Sequence, residues 1–264
     1  MATNLSSDPM AELTGLGAGR ARSVWSVTIQ PMTLGRPLNK LLRSLHPDAY
    51  RRVEPKLSRT RVEARQILYQ PNQHIHEVYF PESAVICLMT VMANGDTLET
   101  GTVGLEGASW ISASIGAPSM PCETIVAVAG EALVLHIDDL DIEMRENEHF
   151  RDVLTRYSHA LLIHSMRMTG CTGLHSLSQR CARWMLTTLD RVPGNEFAIT
   201  HELLAMLIGA SRPTVSIVIE DFHRKGILQS ERGRIVIGNR DGLLSESCDC
   251  YQVIKDNYAN VGLN

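Results

Sequence analysis

Residues 200–226, THELLAMLIGASRPTVSIVIEDFHRKG, have the local signals of two short helices meeting at a sharp corner. Thr200 can cap the first helix, and Glu202 in its first turn suits the positive end of the helix dipole. Leu203, Leu204 and Leu207 give it an apolar face, and Ala205 is small where a second helix must cross closely. Gly209 supplies the left-handed residue that ends this helix in few steps. Ser211 caps the second helix, and Pro213 sits in its first turn, where a missing N–H costs little. Val215, Val218, Ile219 and Phe222 then fall on one stripe. Ala205, Gly209, Val215 and Val218 are thus the expected packing residues of a helix-turn-helix.

The opposite face of the second helix carries Ser211, Arg212, Thr214, Ser216 and Ile217. Short or bidentate side chains near a helix N-terminus are what a recognition helix presents to base edges in the major groove. An Arg can donate two hydrogen bonds to guanine, worth about 1–3 kcal/mol of discrimination. Arg224, Lys225, Arg232 and Arg234 follow, placed to meet phosphates, which position a module without reading sequence. Residues 173–243 hold nine basic and seven acidic side chains, a modest excess. The alternative, a helical hairpin that binds only protein, leaves unexplained the joint placement of Ala205, Gly209, Ser211-Arg212 and Val215 ahead of a Gly-turned hairpin.

Working outward, a helix spans Leu177–Leu189 and is broken by Pro193-Gly194; Phe197-Ala198-Ile199 is a short strand. Residues 227–230 and 235–237 pair through Gly233, completing a winged helix-turn-helix over 173–243. Upstream, Leu38, Leu41, Leu42 and Leu45 repeat at helical spacing, and Pro47 starts a second short helix around Tyr50 and Val53. From Thr60 to Ile137 short apolar stretches (67–69, 78–80, 85–91, 97–103, 124–129 and 132–137) alternate with turns at Gln70-Pro71-Asn72, Asn94-Gly95-Asp96, Gly116-Ala117-Pro118 and Gly130, the pattern of an antiparallel sandwich or jelly roll. Asn94-Gly95 suits a tight hairpin whose two turn positions both take positive φ. A helical period returns at Asp138. Phe150, Leu154, Tyr157, Leu161, His164 and Met168 form a seam that either two parallel helices share or the helix buries against its own domain. His164 is read as a packing residue, with a pH-sensitive contact as the alternative. Residues 1–35 read as a mobile extension with one short strand around Trp25, Val27 and Ile29, and 244–264 as a tail with a final short helix. The expected fold class is α+β: an N-terminal antiparallel jelly roll over 36–138, a long helix over 139–172 and the winged helix-turn-helix.

The 264 residues are 44% hydrophobic, enough for a sizeable core, and the net charge of −4 means any DNA contact must come from a local basic surface. No apolar run approaches the roughly 18 residues of a spanning helix, and no signal peptide is evident, so a cytoplasmic protein without membrane contact is expected. Six scattered cysteines there imply free thiols.

The order of elements resembles the Crp/Fnr family of bacterial transcription regulators over roughly 36–255. The resemblance rests on Ile67-Leu68-Tyr69-Gln70-Pro71, Val78-Tyr79-Phe80-Pro81-Glu82-Ser83, Val103-Gly104-Leu105-Glu106-Gly107 and Ser211-Arg212-Pro213-Thr214-Val215-Ser216, with Arg180, Ala182 and Leu186 in the helix leading to the DNA module. It implies a cyclic-nucleotide-binding-like domain, a homodimer along the long helix with Phe150, Leu154, Tyr157, Leu161, His164 and Met168 as the dimer seam, and double-stranded DNA with a two-fold symmetric operator as partner. RNA polymerase would be a further partner of an activator. The departures are informative. Where cyclic-nucleotide-binding members place an Arg for the phosphate, this chain reads Met120-Pro121-Cys122-Glu123-Thr124, so cyclic AMP is not expected and the effector is unknown. No cysteine precedes Cys87, so the N-terminal iron–sulfur cluster of oxygen-sensing members is not expected. Pro213 and Ile217 replace usual base readers; Arg212 alone survives.

Two weaker signals remain. His74-Ile75-His76 with Glu82 loosely resembles a cupin metal motif, so a metal-dependent enzyme using its C-terminal unit for assembly is the alternative function. Cys248-Asp249-Cys250-Tyr251 is read as tail packing, with soft-metal binding or oxidation as the alternative. No metal site, cofactor or catalytic residue is assigned.

Overall fold

The computed structural model of the chain describes residues 36–109 and 119–263. The expected strand around Trp25, Val27 and Ile29 and the turn at Gly116-Ala117-Pro118 lie outside these residues. Helix α1 (Lys40–Arg43) is capped by Asn39, whose amide also donates to the carbonyls of Pro81 and Gly107. Helix α2 (Pro47–Val53) starts at its proline, as the sequence suggests. The strands are β1 (Ser58–Val62), β2 (Ile67–Tyr69), β3 (Glu77–Pro81), β4 (Val85–Val91), β5 (Thr97–Val103), β6 (Glu123–Val128) and β7 (Gly130–His136). They form two antiparallel sheets, ordered β1-β7-β3 and β2-β6-β4-β5. Strand β1 is additional to the sequence reading. Among the described residues it lies at a sheet edge, paired only with β7, so its Ser-Arg-Thr-Arg-Val needs no apolar alternation. The β4–β5 hairpin also differs from expectation. Val91 pairs with Thr97, the loop is longer than two residues, and only Gly95 takes positive φ.

One face of β4, with Ile86 and Leu88, joins Val78, Phe80, Leu133 and Leu135 in the core between the sheets. The other face, with Val85, Cys87 and Met89, packs under the C-terminal unit. Burial on both sides accounts for the unbroken apolar run Val85–Met89.

The expected single long helix is two: α3 (Ile137–Glu146) and α4 (Glu148–Leu174). Asn147 is extended between them. Its side chain accepts from Phe150 N and donates to Glu143, capping α4 and ending α3 with one residue. The C-terminal unit follows as α5 (Leu177–Leu189), β8 (Glu196–Ala198), α6 (His201–Ile208), α7 (Arg212–Arg224), β9 (Leu228–Glu231), β10 (Arg234–Ile237), α8 (Arg240–Glu246) and α9 (Cys250–Asn260). The expected tail is therefore two helices. Ile254, Tyr258 and Leu263 belong to the main core beside α4. Among the described residues no single helix is long and apolar enough to cross a membrane.

The seam on α4 faces inward, which corrects its assignment to dimerisation. Phe150, Leu154, Tyr157, Leu161, His164 and Met168 are all at most 4% exposed, packed within their own chain. Thr155, His159, Leu162, Met166, Gly170 and Gly173 lie on the open face instead. His164 Nδ1 meets the Tyr258 hydroxyl at 3.1 Å, and burial beside the cationic Arg191 and Arg183 holds the imidazole well below its usual pKa of 6.5. The unfolded chain therefore takes up this proton first. Stability is intact above the unfolded pKa and falls as pH drops below it, by up to about 1.4 kcal/mol per pH unit from this group. In His164→Gln the slope of unfolding free energy between pH 6.5 and 5.5 becomes shallower by a large part of that amount; equal slopes in urea titrations would exclude His164 as the source.

Candidate nucleic-acid interface

Thr200 caps α6 by accepting from Leu203 N at 3.1 Å. Gly209 closes it in the left-handed region, φ 64° and ψ 54°. A Cβ on Gly209 would also stand 2.6 Å from the Leu98 side chain of β5, so this corner needs glycine for its backbone and for its contact with the sheet. Ser211 caps α7, its hydroxyl accepting from Thr214 N and lying 2.7 Å from that residue's hydroxyl. The axes of α6 and α7 differ by 107°, within the range of DNA-binding helix-turn-helices. Ala205 and Val215 are buried at the crossing, and Val218 is half-buried against the same core.

Ser211, Arg212 and Thr214 are exposed at the start of α7, and Ile217 is 68% exposed one turn later. Ser216 is half-buried. Its hydroxyl donates to the Arg212 carbonyl and meets His201 Nδ1 at 2.9 Å. His201 Nε2 lies 3.3 Å from Ser230 on the wing. Burial and the nearby Arg212 cation lower the His201 pKa, favouring the neutral ring that can donate to one serine and accept from the other. This imidazole ties α6, α7 and β9 together; the sequence, which shows only a helix-start histidine, does not reveal it.

The basic residues divide into two groups. Arg224 pairs with Asp221, Lys225 with Asp221 and Glu246, and Arg234 with Glu196. Lys225 holds the Asp221 carboxyl below its usual range. Such exposed pairs are worth only about 0–1 kcal/mol and exchange readily for phosphate. Arg212 and Arg232, also exposed, have no ion pair among the described residues. Arg232 stands at the wing tip with φ 47°.

The unit is fastened to the sheets. Arg65 donates to the Thr200 hydroxyl and the Glu202 carboxylate, at 3.0 and 2.9 Å. Arg191, just past α5, pairs with Glu106 through contacts of 2.6, 2.9 and 3.2 Å, both side chains under 10% exposed. The Gly104-Leu105-Glu106-Gly107 turn makes room for this: a Cβ at Gly104 would lie 2.2 Å from Arg191, and one at Gly107 2.4 Å from the Tyr157 ring. The Tyr157 hydroxyl donates to the Ala108 carbonyl at 2.8 Å. The turn thus receives the chain's own side chains, Tyr157 from α4 and Arg191 from just past α5.

The cupin-like arrangement is not assembled. The His74 and His76 rings are 5.1 Å apart, but the Glu82 carboxylate accepts from Leu38 N and pairs with Arg59.

Residues 179–246 match the family of Crp-like helix-turn-helix domains. No curated protein matches the chain. Among solved structures, FixK2 from Bradyrhizobium japonicum aligns with a TM-score of 0.60 at 15% identity, over 73% of this chain and 98% of that one. The c-di-GMP-responsive global regulator CLP from Xanthomonas campestris aligns at 0.57 and 15%, over 73% and 99%. A CRP/FNR-family transcriptional regulator from Thermus thermophilus aligns at 0.58 and 19%, over 72% and 98%. At such identities the likeness is one of fold, and the fold is that of Crp/Fnr transcription regulators.

Proposed function

We propose that this chain, which carries a Crp-like helix-turn-helix domain on the Crp/Fnr fold, is a sequence-specific transcription regulator that binds a two-fold symmetric operator as a homodimer. The observation that carries the reading is the division of α7. Val215, Ile219 and Phe222 are buried, while Ser211, Arg212 and Thr214 are exposed at its N-terminus. Arg212 has no ion pair among the described residues, so its guanidinium is available to a base edge. Ser216 is a weaker candidate reader, because its hydroxyl is shared with His201. Arg224, Lys225, Arg232 and Arg234 supply phosphate contacts. The proteins sharing the fold regulate transcription, and we assign no catalytic role to this chain.

The dimer would form on the open face of α4. Leu162 and Met166 are 56% and 63% exposed, and Thr155, His159, Gly170 and Gly173 continue the stripe at steps of three and four. That spacing is the one two parallel helices share. A β-rich domain with no cation in Met120–Thr124 supports independence from cyclic AMP.

Titrations on the best-bound duplex and on a scrambled one test the assignment. Arg212→Ala loses about 1–3 kcal/mol of preference between them, whereas Arg234→Ala weakens both equally. Equal loss on both duplexes for Arg212→Ala would refute base reading.

A further inference from the structure

In the sequence, Cys248 and Cys250 stand alone near the C-terminus. The fold brings two more donors to them: Cys171 in the last turn of α4, and His175 just past its end. We propose that Cys171, His175, Cys248 and Cys250 form a closed four-coordinate site for a zinc-class divalent ion, fastening the end of α4 to the segment joining α8 and α9.

The geometry carries the proposal. One donor atom from each residue can be chosen so that all four lie within 4.8 Å of one another. A tetrahedral ion with Zn–S near 2.3 Å and Zn–N near 2.0–2.1 Å sets donor atoms about 3.8 Å apart for two sulfurs and about 3.6 Å for sulfur and nitrogen. Cys171 Sγ and Cys248 Sγ are 3.6 Å apart, and Cys250 Sγ is 3.5 Å from His175 Nδ1. The three cysteines are buried in a small cluster of their own, separate from the two main cores. His175 turns its other nitrogen, Nε2, to the Asp249 carboxylate at 3.5 Å, and Arg167 of α4 holds that carboxylate at 2.9 Å. A carboxylate behind the far nitrogen is the usual support of a metal-bound histidine, fixing its tautomer and aim. Three sulfurs and one imidazole with no open position suit a structural ion, and soft thiolates favour zinc over calcium or magnesium.

The chemistry is ligand exchange without redox change. Cys171, Cys248 and Cys250 each lose a thiol proton to solvent, the ion gives up its waters, and the three thiolates and His175 Nδ1 take their places. A Cys171–Cys248 disulfide would be a different outcome. It would close their gap to about 2.05 Å, consume an oxidant and leave Cys250 and His175 without a part.

The experiment is metal analysis of the full-length protein, purified under reducing conditions and reloaded with zinc alone. One zinc per chain is expected, lost in His175→Ala and in Cys250→Ser. The cobalt(II)-loaded protein should show the visible ligand-field bands of a tetrahedral thiolate-rich site. Chelation should lower the thermal midpoint of the wild-type protein and leave that of His175→Ala unmoved. His175 is half-exposed, so its variant retains the fold if Cys250→Ser does not. Zinc content below about a tenth of an equivalent after reloading, iron in its place, unaltered zinc in His175→Ala, or a Cys171–Cys248 disulfide in the reduced preparation would each overturn the proposal. None of these readouts involves DNA.

Discussion

The double substitution Leu162→Glu/Met166→Glu is expected to leave the fold intact, to convert the proposed dimer to a monomer and to weaken binding to a full operator by about 100-fold or more. Both side chains are more than half exposed, so charges there meet water in the isolated chain and cost little stability. In a dimer, four carboxylates would face one another across two helices, with like-charge repulsion added to lost apolar contact. A monomer forfeits the effective concentration that joins two half-site contacts into one event, typically a factor of about 10²–10⁴. Sedimentation analysis, circular dichroism and operator titration read the three consequences separately. A double variant that stays dimeric would place the interface elsewhere. The contrasting substitution is Leu154→Ala, on the inward seam, which costs about 2–5 kcal/mol of folding stability.

Glu106→Gln produces a loss of stability as large. It removes the one carboxylate paired with Arg191 among the described residues and leaves a guanidinium only 6% exposed without that countercharge. Breaking a buried pair in this way costs about 3–5 kcal/mol, much of it the desolvation of the orphaned charge. Urea unfolding followed by circular dichroism measures the loss. The double variant Glu106→Leu/Arg191→Met removes both charges and should recover much of it, since an apolar replacement of both partners is often neutral. If the double variant loses as much as the sum of the two single ones, the residues are uncoupled and the account of the Gly104–Gly107 turn fails.

The helix-turn-helix was legible because its determinants are local. The caps at Thr200 and Ser211, the left-handed Gly209 and the proline at Pro213 act within a few residues of where they stand in the chain. Leu177–Leu189 was equally plain, and the strands showed as apolar runs between turns. Strand β1 was hidden because an edge strand can be polar, and the break at Asn147 because one side chain ends one helix while capping the next. The seam on α4 shows a deeper limit. Periodicity says which residues share a face, but not whether that face meets the chain itself or a second copy. Leu161 and Leu162 are adjacent in sequence, yet one is buried and the other open. Contacts between distant segments leave no local trace. Glu106 meets Arg191 across 85 residues, and Cys171 meets Cys248 across 77.

The helix beginning at Ser211 is proposed to read base pairs. Selection of bound duplexes from a random-sequence pool tests it most directly. Base reading by this helix in a dimer yields an enriched two-fold repeat with half-sites about 10–10.5 base pairs apart, centre to centre, and a guanine in each half-site that loses enrichment when the selection is repeated with Arg212→Ala. A pool that stays unenriched, or an enriched motif identical for the wild type and Arg212→Ala, would contradict it.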